Sequence, residues 1–254
     1  MRTLHYGPSA DQVGDFHASS ASDAPVVVLL HGGFWRMPYG RDEMTPVAQD
    51  LVQRGFAVWN VEYRRVGAEG GGWPGTLEDV ARAIDHLATI AGDGASIDLQ
   101  RVAVVGHSAG GHLALCASAR RRVPGHAFST RRVTPFAAAS LAGVVDLDAA
   151  HALDAGNSAV HALLGGTPTE VPSRYDETSP MRLLPLGVRQ LVMHGSDDPA
   201  LPARLSRRYA EAAIEHGDAV EHVEIEGMGH MEYLDPASVA HAVLCEWLVS
   251  TLMT

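Results

Sequence analysis

The sequence predicts an α/β fold: a mostly parallel twisted sheet with helices on both faces. Three observations carry that prediction. Short apolar runs alternate with amphipathic stretches along nearly the whole chain. Most of the runs lack the in/out alternation of a half-solvated strand, so they read as strands buried on both faces. The stretches between them place apolar residues at helical spacing.

In chain order, the first long run is Pro25–Leu30, rich in valine and ended by His31-Gly32-Gly33. A helix over 43–53 follows, with Val47, Leu51 and Val52 on its apolar side. The second strand is Phe56–Val61. The helix over 76–91 opens at Thr76 with Asp79 three residues on, a near capping box. Its stripe is Val80, Ile84, Leu87 and Ile90. The third strand, Arg101–Gly106, runs into a helix over 110–119. A fourth strand lies within 137–145, and a fifth is Arg189–His194. A helix over 203–215 precedes the last strand, 220–226, which alternates more than the others. A helix over 236–252 ends the pattern. Gly67–Gly75 is the most flexible-looking stretch and reads as a loop over a site.

Composition narrows the function. The chain has 254 residues and a formal net charge of −11. That length buries a full core in one domain, 1–254, without staples. The acidic balance argues against a nucleic-acid partner, since phosphate binding needs a cationic face. Two cysteines, Cys116 and Cys245, lie in apolar helical patterns and read as buried reduced thiols. No window approaches the roughly 18 apolar residues of a membrane span, and Met1–Asp15 does not read as a secretory leader, so the cytoplasm is the expected compartment.

Gly106-His107-Ser108-Ala109-Gly110 is a G-x-S-x-G pentapeptide between a buried-type strand and a helix. In that context it presents Ser108 on a strained turn at the sheet edge. A serine hydroxyl needs a base, the base needs an orienting acid, and the reaction needs oxyanion donors. Each has a candidate. His230, between glycines after the last strand, is the base. Asp198, in His194-Gly-Ser-Asp-Asp198, is the acid, with Asp197 beside it as the alternative. His31-Gly32-Gly33-Phe34-Trp35 reads as an oxyanion loop, its donors the N–H groups of Gly32, Gly33 or Phe34 together with Ala109. His31 reads as a brace. Phe34, Trp35, Tyr63 and Trp73 are candidate substrate-binding aromatics. No His/Cys/Asp cluster shows metal-ligand spacing, so no metal and no cofactor are expected.

The order Ser108, Asp198, His230 resembles that of the α/β-hydrolases, and the likeness runs nearly end to end. More narrowly the chain resembles the kynurenine formamidase (arylformamidase) and small carboxylesterase branch. The carrying residues are His31–Trp35, Glu62-Tyr63-Arg64-Arg65, Trp73–Asp79, Gly106–Gly110, His194–Asp198 and Gly229-His230. Tyr6-Gly7 and Gln12–Phe16 resemble that branch's short lead-in strands. The interval 145–188 is the one long gap between core strands and reads as a minimal cap, suited to small soluble substrates. The resemblance implies a serine hydrolase acting on a small ester or aryl formamide through an acyl-enzyme. A peptidase and a non-catalytic ligand-binding protein are the rival readings. Oligomeric state is not legible in the sequence.

Overall fold

A computed structural model describes residues 1–123, 128 and 132–253. Among the described residues eight strands form one sheet in the order β1-β2-β4-β3-β5-β6-β7-β8. They are β1 (Arg2–His5), β2 (Val13–His17), β3 (Ala24–Leu30), β4 (Ala57–Val61), β5 (Ile97–His107), β6 (Ala137–Leu141), β7 (Arg189–Gly195) and β8 (Val220–Ile225). β1 and β2 are antiparallel, and every pairing from β4 to β8 is parallel. The helices are α1 (Thr45–Gln53), α2 (Gly75–Gly92), α3 (Ala109–Ser118), α4 (Leu147–Ala152), α5 (Ala159–Leu164), α6 (Pro172–Thr178), α7 (Arg204–Glu215) and α8 (Val239–Leu252).

Every residue of β3, β4 and β6 is buried, which is why their sequences do not alternate. The period of two survives in where the side chains go. Val26, Val28 and Leu30 pack with α2, α3 and the 145–188 segment, while Val27 and Leu29 pack with α1 and α8. The sheet is thus a partition between two apolar cores. The helix α3 is buried along its whole length, so it shows no polar face. The 145–188 segment folds as α4, α5, α6 and a 3₁₀ turn at Pro180–Leu183. Its Leu163, Leu164 and Tyr175 belong to the same core as β3 and α3.

The fourth strand lies within the expected interval, ends at Leu141, and is followed by Ala142 at φ 48. One local expectation is corrected. The Thr76/Asp79 capping box is not formed. The helix α2 starts at Gly75 without a side-chain cap. Thr76 instead donates to the Arg64 carbonyl, and Asp79 receives Arg64 and Gln12 at 2.6–2.7 Å. The Arg64 backbone N–H also reaches Asp79, at 3.0 Å, so this carboxylate serves Arg64 and Gln12 and not the start of its own helix. Both cysteines are buried and free. Among the described residues no helix is long and apolar enough to cross a membrane.

Because β3 to β8 run in parallel, their C-terminal ends share one edge. The loops after β3, β5, β7 and β8 open there, and so the three distant motifs can meet.

Candidate active site

The turn after β5 is set by its glycines. A Cβ at Gly106 would overlap the Gly110 carbonyl, and one at Gly110 would overlap the Leu30 carbonyl. Strand and helix therefore approach closely only with hydrogen at both positions. Between them Ser108 takes φ 53, ψ −116, a conformation L-residues rarely hold. Such strain persists only where the surroundings enforce it. Here the Ser108 N–H is tied to the Leu141 carbonyl at 2.8 Å, and α3 begins immediately after.

The Ser108 hydroxyl lies 2.9 Å from His230 Nε2, and His230 Nδ1 lies 2.7 Å from Asp198 Oδ2. A carboxylate only accepts, so Nδ1 carries the proton and Nε2 is free to accept from Ser108. The Asp198 side chain is fully buried. Its Oδ1 accepts from the N–H groups of Ala200 and Leu201 at 2.7 and 3.0 Å. Burial alone would raise this carboxyl, but hydrogen bonds from His194, His230 and the Leu201 N–H outweigh it and hold it well below the usual carboxylate range. Asp197 is exposed and accepts from Ser196 at 2.9 Å, so the structure brings Asp198 and not its neighbour to the imidazole.

Two histidines support this chain of hydrogen bonds, and neither is among the residues singled out by the sequence. His107 Nε2 meets the His230 carbonyl at 2.7 Å, with the two rings 4.9 Å apart. Burial, and then the charge of His230, push His107 down to about 4, so it is a neutral donor fixing the His230 loop. His194 Nε2 lies 3.0 Å from Asp198 Oδ2 and 3.0 Å from the Leu201 carbonyl. Both partners are acceptors, so Nε2 bears the proton. Nδ1 then accepts from Ser206 Oγ at 2.6 Å. The signal for both was present, since each sits inside a motif at the end of a strand.

The loop after β3 lies against Ser108. A Cβ at Gly32 would sit 3.0 Å from His107 Nδ1 and 3.2 Å from Ser108 Cβ, so a side chain here would press on both residues of the turn. Gly33, Phe34 and Trp35 follow with φ of 93, 53 and 57, a left-handed turn that carries the chain across the sheet edge. Ala109 is the first residue of α3, and its N–H has no acceptor within the helix. His31 is sealed beneath the loop. Its ring nitrogens reach the Gly32 carbonyl and Glu62 Oε1, each at 2.8 Å, and it stacks on Tyr63 at 4.3 Å.

The aromatic residues divide. Trp35 is 1% exposed, donates to the Ala109 carbonyl at 3.1 Å and meets His112 edge-on. Tyr63 is 0% exposed and donates to the His31 carbonyl at 2.9 Å. Neither presents a face to a ligand, which corrects the expectation that they bind substrate. Both are spent on bracing the loop after β3 and the start of α3. Trp73 is half-buried under the Arg174 guanidinium, 4.3 Å from its ring. Phe34 is half-buried and packs on Gly156. Arg36 bonds the carbonyls of Gly156 and Asn157 at 2.9 Å, tying the α4–α5 loop to the loop after β3.

The model of the BD-FAE family matches residues 16–212, well over half of the chain and including Ser108 and Asp198. The chain belongs to the BD-FAE family. This BD-FAE member is similar to Esterase LipQ of Mycobacterium tuberculosis, 27% identical over 214 residues, covering 82% of this chain and 50% of that protein. It therefore spans about half the length of that curated relative. Among solved structures it is similar to a truncated carbohydrate esterase from gut microbiota, with TM-score 0.83, 20% identity, 100% of this chain and 97% of the other. It is also similar to the propionate-bound Est2 esterase of Thermogutta terrifontis, with TM-score 0.77, 20% identity, 99% of this chain and 93% of the other. At these identities the structural likeness establishes the fold, that of the α/β-hydrolases.

Proposed function

We propose that this chain is a serine esterase acting on small carboxylic esters. The observation that carries the reading is the continuous hydrogen-bonded series Ser108–His230–Asp198 at 2.9 and 2.7 Å. In this reading Ser108 attacks the substrate carbonyl, and His230 Nε2 takes its proton and returns it to the leaving group. Asp198 holds the imidazole tautomer and stabilises the imidazolium. The N–H of Ala109, with those of Gly32, Gly33 or Phe34, receives the oxyanion. Water, activated by His230, then releases the acid from the acyl-enzyme. The names of the relatives support ester hydrolysis, since LipQ and the Thermogutta protein are esterases. Burial of Trp35 and Tyr63 takes two of the four candidate aromatics out of reach of a ligand, which weakens the case for an aryl formamide. The segment 145–188 acts as a minimal cap within a single domain, its α4–α5 loop and Phe34 bounding one side of the site.

Thermogutta terrifontis esterase 2 is phosphonylated by sarin. The corresponding test here is a fluorophosphonate probe followed by peptide mapping. Label is expected on Ser108 alone, and Ser108→Ala should lower kcat on p-nitrophenyl acetate by about 10⁴-fold or more. No label, or an alanine variant with undiminished turnover, defeats the reading. A higher kcat/KM for N-formylkynurenine than for p-nitrophenyl acetate would replace the ester with the formamide.

A further inference from the structure

A second cluster of chemically active side chains lies on the other face of the sheet, in the layer formed by α1 and α8. His241 and Cys245 are one helical turn apart on α8, and Asp50 faces them from α1. His241 Nε2 is 2.7 Å from Asp50 Oδ2 and 3.3 Å from Cys245 Sγ, and that sulfur is 3.8 Å from the same carboxylate oxygen. One nitrogen, one sulfur and one oxygen thus form a small triangle. His241 and Cys245 are buried, while the Asp50 side chain is 23% exposed, so the triangle opens toward solvent on one side. Among the described residues His241 Nδ1 has no hydrogen-bond partner, so all the polar engagement of this imidazole there is with the cluster.

We propose that Asp50, His241 and Cys245 bind a divalent metal ion of borderline softness, for which zinc is the best match. Tetrahedral zinc with bonds of about 2.0–2.3 Å sets its ligand atoms about 3.3–3.6 Å apart. The two separations to sulfur, 3.3 and 3.8 Å, bracket that range. The nitrogen–oxygen separation is shorter because a hydrogen bond occupies it, and it opens when the metal replaces that proton. A thiolate, an imidazole and a carboxylate with water as the fourth ligand suit zinc better than magnesium or calcium, which take oxygen ligands. On binding, the Cys245 thiol proton leaves to solvent and the His241 proton moves from Nε2 to Nδ1. Arg54, which pairs with Asp50 at 2.6 Å, must swing out. It is an exposed pair one helical turn apart, of the kind that holds weakly.

Cobalt(II) titration of the full chain tests this, because a cobalt–thiolate bond gives a charge-transfer absorption that nitrogen and oxygen ligands do not. One equivalent of cobalt should produce that band, and zinc should displace it. Zinc should also raise Tm. Cys245→Ser should abolish the band, and Asp50→Asn should weaken the metal by about tenfold or more. Cys116→Ser should keep it. Hydrolysis of p-nitrophenyl acetate by Cys245→Ser should equal that of the unaltered chain. Absence of a thiolate band, or a band that survives Cys245→Ser, overturns the proposal.

Discussion

His194 offers the sharpest test of how the site is tuned. Asp198 Oδ2 serves two imidazoles, His230 at 2.7 Å and His194 at 3.0 Å. His194→Phe keeps most of the volume and removes an N–H shared between the Leu201 carbonyl and a buried carboxylate. A hydrogen bond to a charged group contributes about 1.5–3 kcal/mol, and the Ser206 hydroxyl also loses its partner, so stability should fall by about 2–4 kcal/mol. The catalytic consequence has a definite sign. With His194 gone, the carboxylate has one less competing donor and interacts more strongly with His230. The imidazolium is then favoured, and the acid limb of kcat/KM moves to higher pH. If a third of a 2 kcal/mol interaction is passed on, the limb moves by about half a pH unit. His194→Gln is the companion variant, because its amide nitrogen reaches the position of Nε2 and can donate to Asp198. The assay is kcat/KM on p-nitrophenyl acetate from pH 5 to 9, with chemical denaturation alongside. His194→Phe should shift the limb and His194→Gln should restore it. A phenylalanine variant that loses kcat equally at every pH, or a glutamine variant indistinguishable from it, refutes the reasoning and leaves His194 as packing.

Further expectations concern the acid, the brace and the turn. Asp198→Asn should lower kcat by about 10⁴-fold, while Asp197→Asn, at an exposed position, should leave steady-state kinetics unchanged. Glu62 is buried, which by itself raises its carboxyl, but His31, Arg65 and the Arg41 N–H reverse the balance and lower it. A carboxyl depressed in the folded state stabilises above its unfolded value of about 4.3 and loses that contribution as pH falls through the folded value. Glu62→Gln should therefore be less stable at pH 7 and show a weaker loss of stability between pH 5 and pH 3 in denaturant titrations. Gly106→Ala should fail to give soluble folded protein by circular dichroism, because the added methyl overlaps the Gly110 carbonyl across the turn.

What the sequence made legible was position along the chain. Runs such as Val26–Leu30 and Val102–Val105 identify strands because a strand buried on both faces must be apolar at every residue. Once strands are parallel, whatever follows each one lies on the same edge, so the order Ser108, Asp198, His230 converts directly into a meeting point. β1 was less legible, since its residues are largely exposed and carry no apolar run. The lead-in strands rested on a resemblance and not on patterning.

What stayed hidden was which way a side chain faces and which partner claims it. Trp35 and Tyr63 stand in the right motifs, yet their polar atoms are needed at the Ala109 and His31 carbonyls, and their rings are drawn inward with them. Asp79 had the spacing of a cap, but its carboxylate is taken up by the guanidinium and the backbone N–H of Arg64 and by Gln12. His241 and Cys245 display helical spacing in the sequence, while Asp50, which completes their triangle, lies 191 residues away from His241. A metal spacing rule that searches near neighbours along the chain finds two of those three and stops. His194 lies near Asp198 in sequence, but its tautomer is set by Ser206, 12 residues on and on a helix beyond the turn. Motif order reports which backbone segments converge. The division of labour within the convergence is set by competition among donors for a few buried carboxylates, and only the folded neighbourhood decides it.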